Sequence, residues 1–209
     1  MSEPASTAPA WAVRWQRVAR RIRVPLGFLV AALYLFELVR QAPHYAAIAW
    51  SAALVVPGLW LRGYAAGTVK KNRELTTTGP YAWTRNPLYL GSMLMAAGFA
   101  MALLSWLVAL VLALGFLVIY APVIVAEERF LRATFPEYEE YSRRVPRLIP
   151  RLIPARTIGG AVPWVSGGGF SPALYCKHRE YNAVLGSALL YLCLLLLRSA
   201  FSMFLTGLR

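Results

Sequence analysis

The sequence contains no aspartate. Its nine acidic residues are all glutamate, set against 22 lysines and arginines, for a formal net charge of +13 over 209 residues. That absence excludes aspartate-based calcium loops, Ser-His-Asp triads and aspartyl dyads. Histidine and cysteine are scarce as well. His44 and His178, and Cys176 and Cys193, stand too far apart for metal-ligand spacing, so no zinc or iron site is expected. Cys193 lies inside an apolar run and reads as buried filler, not as half of a disulfide. Charge is sparse, at 15% of residues where about 25% is usual for a soluble domain. In its place stands 58% hydrophobic composition and a mean hydropathy of +0.51. The apolar residues fall in blocks long enough to cross a bilayer, which makes an integral membrane protein the expectation. Any chemistry is left to Glu, Arg, Tyr, Asn and backbone, with a borrowed reactive group.

The basic excess points to one of two partners. A nucleic-acid module wants a basic face on a soluble unit with aromatics interleaved. Here the cations flank apolar blocks, the pattern of the positive-inside rule and of attraction to anionic membrane lipids, so no nucleic-acid partner is expected. Residues 1–10 read as disordered. Residues 11–23 place Trp11, Trp15, Val18 and Ile22 on one helical face with Arg14, Arg17, Arg20 and Arg23 off it, the signature of an interfacial helix. Five spans are expected near 24–42, 43–61, 88–104, 106–126 and 181–205. The first two join tightly around Pro43 and the next two around Ser105, so each pair reads as a helical hairpin. Arg198 interrupts the fifth span and is a candidate for its end. All cations but Arg40, Arg198 and Arg209 fall on one side, which is therefore assigned to the cytoplasm of a plasma, inner or endoplasmic reticulum membrane. Three parts follow: a disordered start with the interfacial helix (1–23), a membrane core (24–154), and a loop or lid with a C-terminal transmembrane helix (155–209).

Two cytoplasmic segments carry most of the polar chemistry, 62–87 and 127–180. The second opens with an amphipathic helix and runs into Pro146-Arg-Leu-Ile-Pro150-Arg-Leu-Ile-Pro154. Prolines every four residues forbid a regular helix there and predict an extended strap along the membrane surface. Residues 159–172, with Gly167-Gly168-Gly169 and two prolines, read as a flexible loop. In the first segment Gly79-Pro80 makes a turn, and Asn86-Pro87 starts the next helix. Adjacent Glu127 and Glu128 at a membrane boundary are costly unless hydrated or paired. Either Glu128 points to water while Glu127 caps a helix, or one of them faces a pocket for a cationic ligand. Glu37, inside the first span, has Arg40 one turn on as a ready partner.

The order and spacing of these residues resemble a known group. Gly79-Pro-Tyr, Arg85-Asn-Pro-x-Tyr89-x-Gly91, an apolar hairpin, then Glu127-Glu128 followed by Leu131, Phe135, Tyr138, Tyr141, Val145 and Pro146 are similar to the isoprenylcysteine carboxyl methyltransferase and phospholipid methyltransferase superfamily. The resemblance covers roughly residues 55–150. It implies an all-α polytopic membrane enzyme with about five transmembrane helices and a cytoplasmic pocket for S-adenosylmethionine, without a Rossmann domain. The lack of a strand followed by GxGxxG agrees with this. Carried over position by position, it assigns cofactor contacts to Leu75, Tyr81, Asn86, Pro87, Leu88, Tyr89 and Glu127, and a part in catalysis to Arg85, Tyr89 and Glu127. Tyr81 and Tyr89 suit the adenine or the sulfonium. Arg85 suits the ligand carboxylate or a brace for the loop, and Glu127 suits the ammonium or a ribose hydroxyl pair. No metal is required, because the sulfonium already activates the methyl group.

Two departures from the family pattern bear on function. Asn86 stands where the family usually has His, which retains hydrogen bonding but removes an imidazole base. Val123 stands where the prenylcysteine enzymes carry an Arg associated with the substrate carboxylate, which leaves the acceptor open. The expected reaction is transfer of a methyl group to a lipid-like or prenylated acceptor, with a phospholipid amine or an apolar thiol as alternatives. A rival from another class is a catalytically silent scaffold that binds lipid or a partner. A transporter is disfavoured by the lack of repeated halves and of intramembrane charge beyond Glu37.

Overall fold

A computed structural model describes residues 10–41, 43–70, 74–155 and 169–207, with 10–24 and 200–207 described by backbone alone. Every regular element among them is helical, as lipid demands of a chain that must satisfy its own backbone. The helices are α1 (Ala10–Arg40), α2 (Tyr45–Thr68), α3 (Pro87–Leu103), α4 (Trp106–Gly115), α5 (Ala121–Thr134), α6 (Tyr138–Arg144), α7 (Pro172–Lys177) and α8 (Tyr181–Gly207). A 3-10 turn lies at Gly79–Ala82 and a π turn at Phe116–Tyr120. Trp106–Thr134 is one continuous rod of 29 residues. That rod, Tyr45–Thr68 and Tyr181–Ser199 are each long and apolar enough to cross a bilayer, and α3 is a shorter apolar helix beside them. The chain is an all-α integral membrane protein.

The most extensive helix contact is between α2 and α3, and glycines explain it. A Cβ on Gly91 would lie 2.7 Å from the Gly58 carbonyl oxygen, one on Gly58 2.7 Å from that of Gly91, and one on Gly98 2.9 Å from that of Ser51. Without side chains there, the two backbones meet directly. Around this seam Val55, Phe99, Ala102, Leu103 and Leu194 form the buried core. The Tyr34 hydroxyl donates to the Phe99 carbonyl at 3.0 Å, tying in α1, and Ser51 and Tyr191 hydroxyls meet at 2.8 Å, tying α2 to α8.

Several elements differ from expectation. The boundary at residue 23 does not appear in the backbone, because α1 runs unbroken through Pro25. Neighbouring helices and local adjustment allow such a proline in a membrane helix. The amphipathic face expected over 11–23 lies outside the described residues, as does residues 156–168 of the expected loop. α1 and α2 do not form a hairpin; α1 packs instead on α4, α5, the π turn and α8. Buried Glu37 holds it there, accepting from Ser105 at the α3–α4 turn at 3.2 Å while pairing with Arg40 at 3.2 Å. α2 extends to Thr68, past the expected 61. α8 continues past Arg198, whose guanidinium lies over the Tyr45 ring at 5.3 Å instead of ending the helix.

Candidate active site

Glu127 lies 21 residues into the rod that begins at Trp106, about 30 Å along it at 1.5 Å per residue. That is roughly the depth of the bilayer's hydrocarbon core, so the carboxylate pair emerges at its edge. Of the two readings of the pair, the first fails, since Glu128 does not point to water, and the second has its candidate in Glu127, which lines a pocket. Both sit inside α5, Glu128 is buried with 7% of its side chain exposed, and Glu127 is exposed. Glu128 receives Arg147 through two bonds, Nε at 2.9 Å and Nη2 at 2.7 Å, and pairs with Arg85 at 3.3 Å. Two guanidiniums on one buried carboxylate make it a strut between α5, the Gly79–Pro87 loop and the proline strap. The bond to Glu128 raises the Arg147 pKa above its ordinary value.

The loop is held by the same strap. Gly79 turns the chain at φ +59°, a left-handed conformation that suits glycine, and Pro80 leads the 3-10 turn. Arg85 N–H then donates to Pro146 O at 2.9 Å, Arg151 N–H to Trp83 O at 3.0 Å, and Ala155 N–H to Ala82 O at 2.9 Å. The Asn86 amide donates to Arg147 O at 3.0 Å. Asn86 therefore braces the strap, while Pro87 begins α3 without needing an N–H. The Tyr141 hydroxyl donates to Tyr81 O at 2.8 Å from below. Burial, reinforced by the Glu127 and Glu180 carboxylates, pushes the Tyr81 phenol well above its ordinary pKa. Burial also raises Tyr141, and raises Tyr138 against the opposing bond from Arg85.

These elements enclose a polar pocket of about 380 Å³, within the range of small-molecule sites. Tyr81, Arg85, Asn86, Pro87, Leu88, Tyr89 and Glu127, all singled out from the sequence, line it together. Leu75 does not. It packs on Tyr138, Tyr141, Val145 and Ala155 beneath the loop, as the apolar pattern of that segment allows. The Tyr89 hydroxyl donates to Glu127 Oε2 at 3.0 Å. Four further lining residues were not assigned from the sequence: Arg62, Ser92, Tyr120 and Glu180. Arg62 and Glu180 are 118 positions apart and pair at 2.9 Å, a meeting that no local pattern announces. Tyr120 had one available signal, the proline two residues on. Pro122 cannot donate to the carbonyl four back, and the wider π turn ending at Tyr120 precedes it.

A second cavity of about 800 Å³ adjoins the first. It is walled by apolar residues of α1, α3, α4 and the π turn, including Val30, Met93, Ala97, Ala100, Leu112 and Phe116. Ser92 and Tyr120 line both cavities. Val123 lines neither cavity.

Residues 45–138 match the phospholipid methyltransferase family. Over 105 residues the chain is 34% identical to Protein-S-isoprenylcysteine O-methyltransferase of Schizosaccharomyces pombe, covering 50% of this chain and 44% of that one. The chain thus shares a segment with this methyltransferase superfamily. It is also 45% identical over 94 residues to the cobalt-zinc-cadmium resistance protein CzcN of Cupriavidus metallidurans, covering 45% of this chain and 43% of that one. A third relative is the nickel-cobalt-cadmium resistance protein NccN of Alcaligenes xylosoxydans xylosoxydans, 34% identical over 143 residues, or 63% of this chain and 66% of that one. The chain thus spans less than half the length of two of these relatives and about two thirds of the third. No solved structure matches it. The family-matched segment runs from α2 to the start of α6, the part that builds the loop, the rod and the glutamate pair. Among the described residues no group of three or more His, Cys or Glu is placed to hold a metal ion.

Proposed function

We propose that this protein transfers a methyl group from S-adenosylmethionine to a lipid-like acceptor held within the membrane. The observation that carries the reading is the junction of the two cavities at Ser92 and Tyr120, one lined mainly by polar and the other by apolar residues. A water-soluble donor and a membrane-dissolved acceptor need such a meeting point, and holding both there supplies much of the catalysis.

The polar pocket suits the donor on two counts. Glu127 has no cationic partner among the described residues, and Arg85 Nε is buried without a hydrogen-bond partner there. An unmatched anion and an unmatched donor in one pocket fit a ligand that carries an ammonium, a sulfonium and a carboxylate. When bound, S-adenosylmethionine supplies a methyl group already activated by its sulfonium. Glu127, oriented by the Tyr89 hydroxyl, attracts the cationic portion, and Tyr81 and Tyr89 present ring faces to the adenine or sulfonium. Arg85, fixed by Glu128, offers Nε to the carboxylate. The apolar walls keep water from the acceptor. The positive-inside pattern supports a cytoplasmic position for this pocket, and the exposed Ile149, Leu152 and Ile153, interleaved with Arg147 and Arg151, suit the strap to an anionic lipid surface.

The test is calorimetric titration of the detergent-purified full chain with S-adenosylmethionine, beside Glu127→Gln. Wild-type binding that weakens by about tenfold or more in the variant supports the reading. Folded wild-type protein that does not bind overturns it in favour of a silent scaffold. Equal binding by both proteins removes Glu127 from the site.

A further inference from the structure

Beyond the family-matched segment the chain returns to the pocket by a short arm, Gly169–Glu180. The arm docks on the last turns of α2, where that helix is bare. Ser171 N–H donates to Gly67 O at 2.8 Å, and His178 Nδ1 lies 2.9 Å from Ala66 O. Phe170 covers Gly67 so closely that a Cβ there would lie 2.4 Å from its ring, and Tyr175 covers Gly63. At Arg179 the chain takes a left-handed φ of +55°, a conformation costly for a non-glycine residue. The next residue, Glu180, then meets Arg62, accepting from Nε at 3.0 Å and from Nη2 at 2.9 Å. The two side chains are 11% and 24% exposed, and both line the polar pocket. Arg62 also donates to Ser92, one of the two residues shared with the apolar cavity.

Charge decides what this pairing does. Four charged side chains line the pocket: Arg62, Arg85, Glu127 and Glu180. Glu180 offsets Arg62 one for one, Glu128 shares its charge between Arg85 and Arg147, and Glu127 is left as the pocket carboxylate without an ion-pair partner among the described residues. Without Glu180, the Arg62 guanidinium would stand in the same small pocket as a bare cation. It would then oppose any cationic ligand about as strongly as Glu127 attracts it.

We propose that the C-terminal arm is a working wall of the donor pocket, and that Glu180 both positions and neutralises Arg62 so that Glu127 keeps its attraction for a sulfonium. The inference rests on the reading of this pocket as the donor site. Glu180 and Arg62 act here as positioning residues, and a purely structural role would not distinguish a sulfonium ligand from its thioether. The experiment is therefore titration of the full chain in detergent with two probes, S-adenosylmethionine and its thioether product S-adenosylhomocysteine, which keeps the ammonium and carboxylate but lacks the sulfonium charge. Glu180→Gln is expected to lower the preference for the sulfonium over the thioether by about tenfold. Arg62→Gln is expected to raise it, and the double variant R62Q/E180Q, which removes both charges of the pair together and leaves Glu127 as it was, to return it to the wild-type value. Because the Arg62→Gln and double variants bury no unpaired cation, they keep the test decisive where Glu180→Gln fails to fold. A preference unchanged in Glu180→Gln and Arg62→Gln, with both ligands weakened equally or not at all, overturns the inference while leaving the donor reading intact. Wild-type protein that binds neither ligand overturns the donor reading itself.

Discussion

Glu127 and Glu128 are neighbours of identical chemistry with opposite surroundings. On a helix, adjacent residues point about 100° apart, and here that angle separates the pocket from the protein interior. Glu128 is held by Arg147 and Arg85 and ties three segments together. Glu127 meets only the Tyr89 hydroxyl among the polar contacts described for it. Glu128→Gln is therefore expected to cost about 1.5–3 kcal/mol of stability, the range for hydrogen bonds to charged groups, read as a lower unfolding midpoint in detergent. Donor affinity per folded molecule should fall less than in Glu127→Gln. The reverse ranking would mean that the two roles are exchanged. The sequence marked the pair as costly, but it could not say which member pairs inward, because the partner Arg147 comes from a strap with no periodicity to orient it.

Among the elements, α2 and α3 decide the shape of the site. Their backbones touch at Gly58, Gly91 and Gly98, and the same stretch of α2 carries Arg62. The motif glycine, Gly91, is thus needed for close approach. Gly91→Ala would set a methyl group 2.7 Å from both the Gly58 carbonyl oxygen and Arg62 Cγ, and the backbone contact cannot yield without moving a helix. A loss of about 1–3 kcal/mol is expected, as for overpacking elsewhere, measured as a fall in thermal midpoint. Unchanged stability would show that the two helices separate freely. Motif spacing made the glycine visible, whereas its partner Gly58 lies outside the motif and is recognisable only once the helices are paired. Asn86 carries a similar lesson. As the substitute for a family histidine it reads from sequence as a cofactor contact, yet its amide also holds the strap.

For the molecule as a whole, the arrangement of two cavities around one junction is the property on which the proposed methyl transfer depends. Ala97 lines the apolar cavity and is exposed to it, so a larger side chain fills space there without overpacking the core. Ala97→Phe is expected to leave S-adenosylmethionine binding within about twofold of wild type, since nothing in the polar pocket moves. Transfer of radiolabelled methyl into lipid extracts of membranes should fall at least about tenfold if one near-attack position is blocked. Undiminished transfer would place the acceptor elsewhere.

What the sequence determined by itself was set by local and compositional physics. Apolar block length made a membrane protein, Pro87 began α3, the proline tandem kept 146–154 out of helix, and motif spacing gathered seven of the eight expected site residues onto one pocket. Tertiary structure alone decided the rest. It turned α1 away from α2, carried α5 past the carboxylates, and brought Glu180 across 118 positions to Arg62. The physical reason is that periodicity and turn chemistry act over a few residues. Ion pairs and bare helix surfaces find their partners only when the whole bundle is assembled.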